Sequence, residues 1–186
     1  MELGESQGLF SRDGDRMKEL RKWQMAFLKQ AHVDWEAYQR TLQTRWPDCH
    51  RLLFLQMATE KLGKALLLAG HSKFERLTRS HTAFVKFMQV ASYNRNLQAK
   101  LSMTPSQLKA HFNRLLPIAY EIENLAPALA QDGPNPEYPW LDKAGGIQVP
   151  GEYAFPLIKS LHTSHGLQLL KHIANCIAEF EEIFLS

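Results

Sequence analysis

Residues 48 to 69, DCHRLLFLQMATEKLGKALLLA, decide the fold class of this chain. Leucine and small residues recur in this stretch at helical spacing and form a broad apolar band, and Gly70 follows as a candidate C-terminal cap. A helix that is apolar around so much of its circumference must be covered by other helices. Its longest apolar run, residues 65 to 69, is far too short to cross a bilayer, so we expect a buried helix and no membrane contact.

A second helical pattern precedes this stretch, from residue 15 to residue 42. It predicts either one long helix or two helices that are broken near His32 and Val33. Pro47 should end it, because proline interrupts the helical hydrogen bonds. The residues of its apolar face are Met17, Leu20, Trp23, Phe27, Ala31, Trp35, Tyr38 and Leu42.

Two more helices are predicted after the deciding stretch. Ser80 is a candidate N-cap for a third helix, whose apolar residues lie between positions 84 and 91. The fourth helix should begin at TPSQ, residues 104 to 107, which combines a capping Thr, a Pro at the first helical position and a Gln three residues after the cap. We expect it to run to about Leu129, with a kink or break at Pro117.

The C-terminal part predicts a long loop and then a last helix. Residues 131 to 152 are rich in proline and glycine and contain Tyr138 and Trp140. The last helix should span residues 153 to 185. We find no strand-like alternation and no repeat, so the expected fold is all-α, an up-and-down bundle of about five helices. The core stripe of the last helix is His162, Gly166, Leu169, Leu170, Ile173, Ile177, Phe180 and Phe184.

Composition indicates one globular domain. Of the 186 residues, 45 % are hydrophobic and 22 % are charged. The net charge of +3 permits an anionic partner such as a nucleotide or RNA without requiring one. Residues 1 to 14 show little periodicity and predict a flexible N-terminal arm, which leaves residues 15 to 186 as the domain. The two cysteines have no metal-type spacing and the N-terminus lacks a signal-peptide pattern, so we expect a reduced, cytoplasmic protein.

Three segments, in order, resemble the HEPN family. Residues 55 to 68, LQMATEKLGKALLL, resemble its signature helix, with a Gln, small residues, a Glu-Lys pair and a second Lys three residues later. Residues 80 to 84, SHTAF, resemble the segment that opens the third helix, and residues 135 to 140, NPEYPW, resemble the Tyr-Pro segment before the last helix. Gly63 departs from the family pattern, which usually has a better helix former there, and the loop of residues 131 to 152 is longer than usual.

The resemblance implies a helical bundle, commonly dimeric, and two functional classes. One class cleaves RNA with an Arg and a His four to six residues apart. The other lacks that pair and binds a nucleotide or a protein, often a minimal nucleotidyltransferase. Arg76 and His81 have the required spacing, as do Arg45 and His50, but the family's pair usually lies on a later helix, where this chain has none.

We therefore expect a non-catalytic HEPN-like module, a homodimer, that binds a nucleotide, an RNA or a protein partner. One alternative is a metal-independent ribonuclease of toxin–antitoxin or defence type, in which His81 would be the general base and Arg76 would stabilise the phosphorane. Another is a purely structural interaction protein. The residues that we expect to contact an anion or to wall the site are Lys61, Lys64, Arg76, His81, Tyr138 and Trp140.

Simpler roles for these residues stay open. Glu60 and Lys64 are four residues apart and can form an ordinary ion pair on a helix surface, and the two loop aromatics can simply pin the loop to the bundle. His165, His172 and Cys176 line one flank of the last helix and are ligands that zinc accepts. A metal site normally draws on more than one element, so we expect no metal and no cofactor.

Overall fold

The computed structural model of the protein describes residues 7–68, 81–131 and 133–186. In these residues nine helices and one small hairpin occur, and the predicted all-α bundle is confirmed. The helices are α1 (Gln7–Leu42), α2 (Asp48–Leu67), α3 (Phe84–Ala91), α4 (Arg95–Leu101), α5 (Pro105–Glu123), α6 (Pro127–Ala130), α7 (Pro156–Leu161), α8 (Ser164–Ala178) and α9 (Phe180–Phe184). The strands are β1 (Trp140–Leu141) and β2 (Ile147–Gln148).

The first helix is continuous, without a break near His32 and Val33. It begins at Gln7, earlier than the predicted Asp15, so the boundary that we expected at residue 14 falls inside α1. Glycines and few apolar residues weaken the periodicity of this first stretch, which explains the late start of the prediction.

The predicted face of α1 is buried in the middle and exposed at the ends. Ala31, Trp35 and Tyr38 are buried, whereas Met17, Trp23 and Leu42 of the same predicted face are exposed. The reason is length, because α1 has 36 residues and its antiparallel neighbour α2 has only 20. The partner helix therefore covers the middle of α1 more completely than its ends.

The predicted start of the fourth helix is confirmed, but its end is wrong. Thr104 Oγ1 accepts a hydrogen bond from the Gln107 N–H, and the Gln107 side chain accepts one from the Thr104 N–H, which completes the capping box of α5. Pro117 lies inside α5 without ending it. The helix ends at Glu123 rather than near Leu129, and Pro127 begins the separate α6, since a residue that precedes proline avoids the helical conformation.

The last predicted helix is in fact three helices. Helix α7 ends at Leu161, and Thr163 caps α8, where its hydroxyl accepts a hydrogen bond from the Gly166 N–H at 3.1 Å. His162 lies at this break and is exposed, so its place in the predicted core stripe is wrong. Helix α4 was not predicted at all, although Asn94 caps it by accepting from the Leu97 N–H at 2.8 Å.

The loop of residues 131 to 152 contains the hairpin. Trp140 pairs with Gln148 and Leu141 pairs with Ile147, antiparallel. Asp142 Oδ1 accepts hydrogen bonds from two backbone N–H groups of the turn, and Gly145 has a φ of 82°, a conformation that favours glycine. Strands of two residues are too short to show the alternation by which strands are recognised in a sequence.

One main core unites the bundle. Its largest fully buried side chains come from α2, α3, α4, α5, α8 and the start of α9, for example Leu52, Phe84, Phe87, Phe112 and Phe180. No helix in the described part of the chain combines the length and the apolar composition that a membrane span needs. The predicted caps Gly70 and Ser80 lie outside the described residues.

Candidate functional site

A single carboxylate on α2 joins three of its neighbours. Lys64 Nζ donates to Glu60 Oε1 at 2.6 Å, and Gln56 Nε2 donates to Glu60 Oε2 at 2.9 Å. The same Oε2 lies 3.0 Å from Nδ1 of His81, in the segment before α3. We call Gln56, Glu60, Lys64 and His81 the Glu60 cluster. The three α2 residues are one turn apart, so they share one side of the helix.

Gly63 explains why His81 can reach α2. A Cβ atom added to Gly63 would lie 2.5 Å from the carbonyl oxygen of Ala83, so the backbone around Ala83 packs directly on the helix at this point. Glu123 also holds the residues that follow His81, since its Oε1 accepts a hydrogen bond from the Val85 N–H at 3.0 Å. Sequence reasoning missed both contacts, although a glycine in the middle of an otherwise strong helix was a signal of close approach.

Side-chain exposure increases across the Glu60 cluster, from Lys64 through Glu60 to His81. The side chain of Lys64 is 6 % exposed, that of Glu60 is 14 % and that of His81 is 43 % exposed. Burial alone would raise the pKa of Glu60, but the hydrogen bonds from Lys64, His81 and Gln56 and the charge of Lys64 outweigh it and lower that pKa. Glu60 is therefore an anion at neutral pH.

The charge of Glu60 fixes the tautomer of His81. An ionised carboxylate can only accept hydrogen bonds, so Nδ1 of His81 must carry a proton toward it. In the neutral ring, Nε2 is then the nitrogen with a free lone pair. This arrangement can accept a proton from a ligand or, once the ring is protonated, donate a hydrogen bond to an anion.

The structure brings together only some of the predicted anion-binding residues. Lys64 and His81 meet at the same carboxylate, and the predicted Glu60–Lys64 ion pair is present but buried rather than on the surface. Nζ of Lys64 also lies 5.8 Å from the centre of the Phe27 ring on α1. Arg76 lies outside the described residues.

Lys61 points to α1 instead. Its Nζ lies 2.7 Å from Oδ2 of Asp34, a buried carboxylate whose other oxygen accepts from Gln30. Because this ammonium is already matched by a buried anion, it ties α1 to α2 and does not belong to the Glu60 cluster.

The two loop aromatics lie elsewhere and differ from each other. Trp140 is buried and packs edge-on against Tyr153, with 4.8 Å between ring centres, whereas Tyr138 is 60 % exposed. Both line a surface cavity of about 490 Å³ whose lining residues all lie between positions 127 and 147. None of these lining residues belongs to the Glu60 cluster, so this cavity does not bring the loop aromatics together with Glu60 and His81.

A buried histidine pair joins α5 to α8. Nε2 of His111 and Nε2 of His172 are 2.7 Å apart, and His172 stacks on Phe112. Burial lowers the pKa of His172 to about 4, with smaller contributions from His111 and Lys171. The sequence singled out His172 as a zinc ligand type, but no group of three His, Cys, Asp or Glu side chains among the described residues is close enough to hold a metal ion.

Comparison with known proteins gives no relative. No family model matches the chain, and neither a curated protein nor a solved structure is similar to it. The resemblance to HEPN domains therefore stays a prediction from the three segments of sequence.

Proposed function

We propose that this protein is a non-catalytic, HEPN-like helical module that binds a phosphate-bearing ligand, a nucleotide or RNA, at the Glu60 cluster. The observation that supports this most directly is the joint attachment of Lys64 and His81 to Glu60. It places a buried ammonium behind a part-exposed imidazole, so an anion meets the imidazole first. Nδ1 of that ring is engaged by Glu60, and Nε2 is left for the ligand.

The partners that the resemblance implies belong to the same proposal. The module would act in the cytoplasm as a homodimer, and a minimal nucleotidyltransferase would be its protein partner. In a complex of this kind both proteins would contact the phosphate groups of the nucleotide. Size-exclusion chromatography with light scattering tests the dimer, and a monomeric mass at micromolar concentration would contradict it.

A thermal-shift scan with ATP, GTP, CTP, UTP and short RNA tests ligand binding. A ligand at about 100 times its dissociation constant should add roughly 2.7 kcal/mol to the free energy of unfolding. His81→Ala should remove this increase. His50→Ala is the matched control, because His50 is an exposed histidine of α2 that is preceded by Arg45 at the same spacing as His81 is by Arg76. If no ligand raises the melting temperature, or if both variants respond alike, the nucleotide proposal is wrong.

The Glu60–His81 pair favours a second candidate function, metal-independent RNA cleavage. A carboxylate that fixes the Nδ1–H tautomer leaves Nε2 as a general base. His81 would take the proton of a ribose 2′-hydroxyl, the 2′-oxygen would bond to phosphorus, and the bond from phosphorus to the 5′-oxygen would break. The leaving oxygen would take a proton from water, and the product would carry a 2′,3′-cyclic phosphate.

Incubation of the protein with short RNA in EDTA separates the two candidates. Cleavage to cyclic-phosphate ends that disappears in both His81→Ala and Glu60→Gln, and persists in His50→Ala, would support the enzyme. Intact RNA that still raises the melting temperature of the wild-type protein would support the binding module. Cleavage that survives in His81→Ala would rule out His81 as the base.

A further inference from the structure

The contact between His111 and His172 is the most direct polar link between α5 and α8. Each of the two residues is 8 % exposed, and their Nε2 atoms lie 2.7 Å apart. Such a contact requires that one ring donates its Nε2–H and the other accepts with a bare nitrogen. Both rings must therefore be neutral for an uncharged hydrogen bond, and their tautomers must be complementary.

The surroundings of the pair oppose an added proton. The charged groups that act on the rings are Arg114 on α5 and His165 and Lys171 on α8, all basic. No carboxylate is among the described groups whose charge shifts the pKa of either ring. Cys176 lies one turn after His172 on α8. The charges of Glu179 and Lys100 act on this cysteine rather than on the histidines. A positive charge at the pair would be buried without a counter-ion.

We propose that His111 and His172 form a proton-operated latch, which holds α5 and α8 together while both rings are neutral and opens when they are protonated. After the first proton the rings share it in a charged, buried pair. After the second, two N–H donors face each other with no acceptor between them, so the contact becomes repulsive. The latch goes beyond the ligand site, since neither histidine belongs to the Glu60 cluster.

Acid should separate α8 from α5 before the whole protein unfolds. The α1–α2 pair is tied by Lys61 with Asp34 and by Gln24 Nε2 with the carbonyl oxygen of Ala65 at 3.0 Å. These links carry no histidine, so protonation of imidazoles does not act on them directly. Acid should therefore release α8 from α5 while α2 keeps its contacts with α1.

Native-state hydrogen exchange read by NMR between pH 7.5 and pH 4.5, with a parallel titration of the imidazole nitrogens, tests the latch. Below the ordinary histidine pKa of 6.5, the opening constant of α8 should rise by up to about tenfold per pH unit for each ring. Amides of α2 should keep their protection over the same range. The rise should begin below pH 6.5, before the Nε2 atoms take up protons in the closed protein, because burial lowers the pKa of His172 to about 4 and also lowers that of His111.

His172→Gln and His111→Gln provide the variants, and His162→Gln provides the control. A Gln side chain can still hydrogen-bond the remaining histidine but cannot take a proton, so each variant should lose about half of the pH dependence on a logarithmic scale. His162 is exposed at the α7–α8 boundary, and its variant should behave as the wild type. Equal loss of protection in α2 and α8, or an unchanged pH dependence in both pair variants, would overturn the proposal.

Discussion

The carboxylate of Glu123 accepts a hydrogen bond from the backbone N–H of Val85, with 3.0 Å between the two atoms. Ala83 occupies the N-cap position of α3 and supplies no side-chain cap, so the last residue of α5 caps a different helix. This contact fixes the start of α3, and with it the segment that carries His81 to Glu60.

Two substitutions of Glu123 distinguish the role of its accepting oxygen from the role of its negative charge. Glu123→Ala leaves a buried N–H without a partner and should lower the free energy of unfolding by about 1–3 kcal/mol. Glu123→Gln keeps an accepting oxygen and should stay within about 0.5 kcal/mol of the wild type at pH 5. Urea denaturation at pH 5 measures both differences. Equal losses of stability in the two variants would show that Glu123 does not stabilise the protein by capping α3.

The pH dependence at Glu123 has a defined sign. Burial, with a smaller contribution from Glu60, raises the pKa of Glu123 above its ordinary value of 4.5. The folded state therefore binds the proton more tightly than the unfolded state, and stability falls as pH rises from 4.5 through the raised pKa. Between pH 4.5 and pH 7 the Glu123→Gln variant should gain stability relative to the wild type. A constant difference across this range would contradict the raised pKa.

Gly63→Ala should destabilise the protein although alanine favours helices. The substitution gains about 1 kcal/mol of helix propensity, but the new methyl would meet the Ala83 carbonyl oxygen at 2.5 Å. Because that oxygen belongs to the backbone, we expect an overpacking cost of about 2–3 kcal/mol and a net loss of about 1–2 kcal/mol. Gly14→Ala is the control, since no atom lies within 4 Å of its added Cβ, and it should be neutral or stabilising. Thermal denaturation of both variants is the measurement.

The sequence predicted the fold class because its signals are local. The apolar band of α2 and the Thr104–Gln107 capping box depend on neighbouring residues only, and both predictions are confirmed. The division of the last helix at Thr163 was missed because the apolar spacing continues across the break. At the break the start of α8 packs closely on the end of α7, since a Cβ added to Gly166 would overlap the carbonyl oxygen of Ser160, and the apolar spacing does not show this contact.

The candidate site was predicted in part for the same reason. Glu60 and Lys64 lie one helical turn apart, and that spacing alone predicts their ion pair. The addition of His81 needs a tertiary contact, the packing of Ala83 on Gly63, that no spacing reveals. Lys61 is only one residue from Glu60, yet a helix turns adjacent residues to different sides, and its pairing with Asp34 follows from the position of α1.

Glu60→Gln should make the free energy of unfolding less dependent on pH at acidic pH. The lowered pKa of Glu60 means that the folded state releases this proton more readily than the unfolded state. Its contribution is present above pH 4.5 and is lost as pH falls through the lowered pKa. At pH 7 the variant should lose about 2–4 kcal/mol, because a neutral amide replaces the carboxylate to which the buried Lys64 donates. Denaturation between pH 3 and pH 7 measures both the loss at pH 7 and the change in pH dependence. If the free energy of unfolding varies with pH in the same way in wild type and variant, the role of Glu60 is refuted.

Trp140 and Tyr138 provide the last test, because the loop aromatics were predicted as a pair and the structure separates them. Trp140 is 7 % exposed and contacts Tyr153 and Phe155, with ring centres 4.8 Å and 6.2 Å away. Trp140→Ala should therefore cost about 3–5 kcal/mol, whereas Tyr138→Ala should cost less than about 0.5 kcal/mol.

The same two variants distinguish docking of the loop from ligand binding at its cavity. If the cavity beside Tyr138 binds nothing, Tyr138→Ala will match the wild type in both stability and ligand response, and only Trp140→Ala will change either. If Tyr138→Ala keeps full stability but abolishes the ligand-induced rise in melting temperature, the ligand lies at the loop rather than at the Glu60 cluster. A comparison with His81→Ala in the same scan then assigns the binding site, because Tyr138 lines the loop cavity and His81 contacts Glu60.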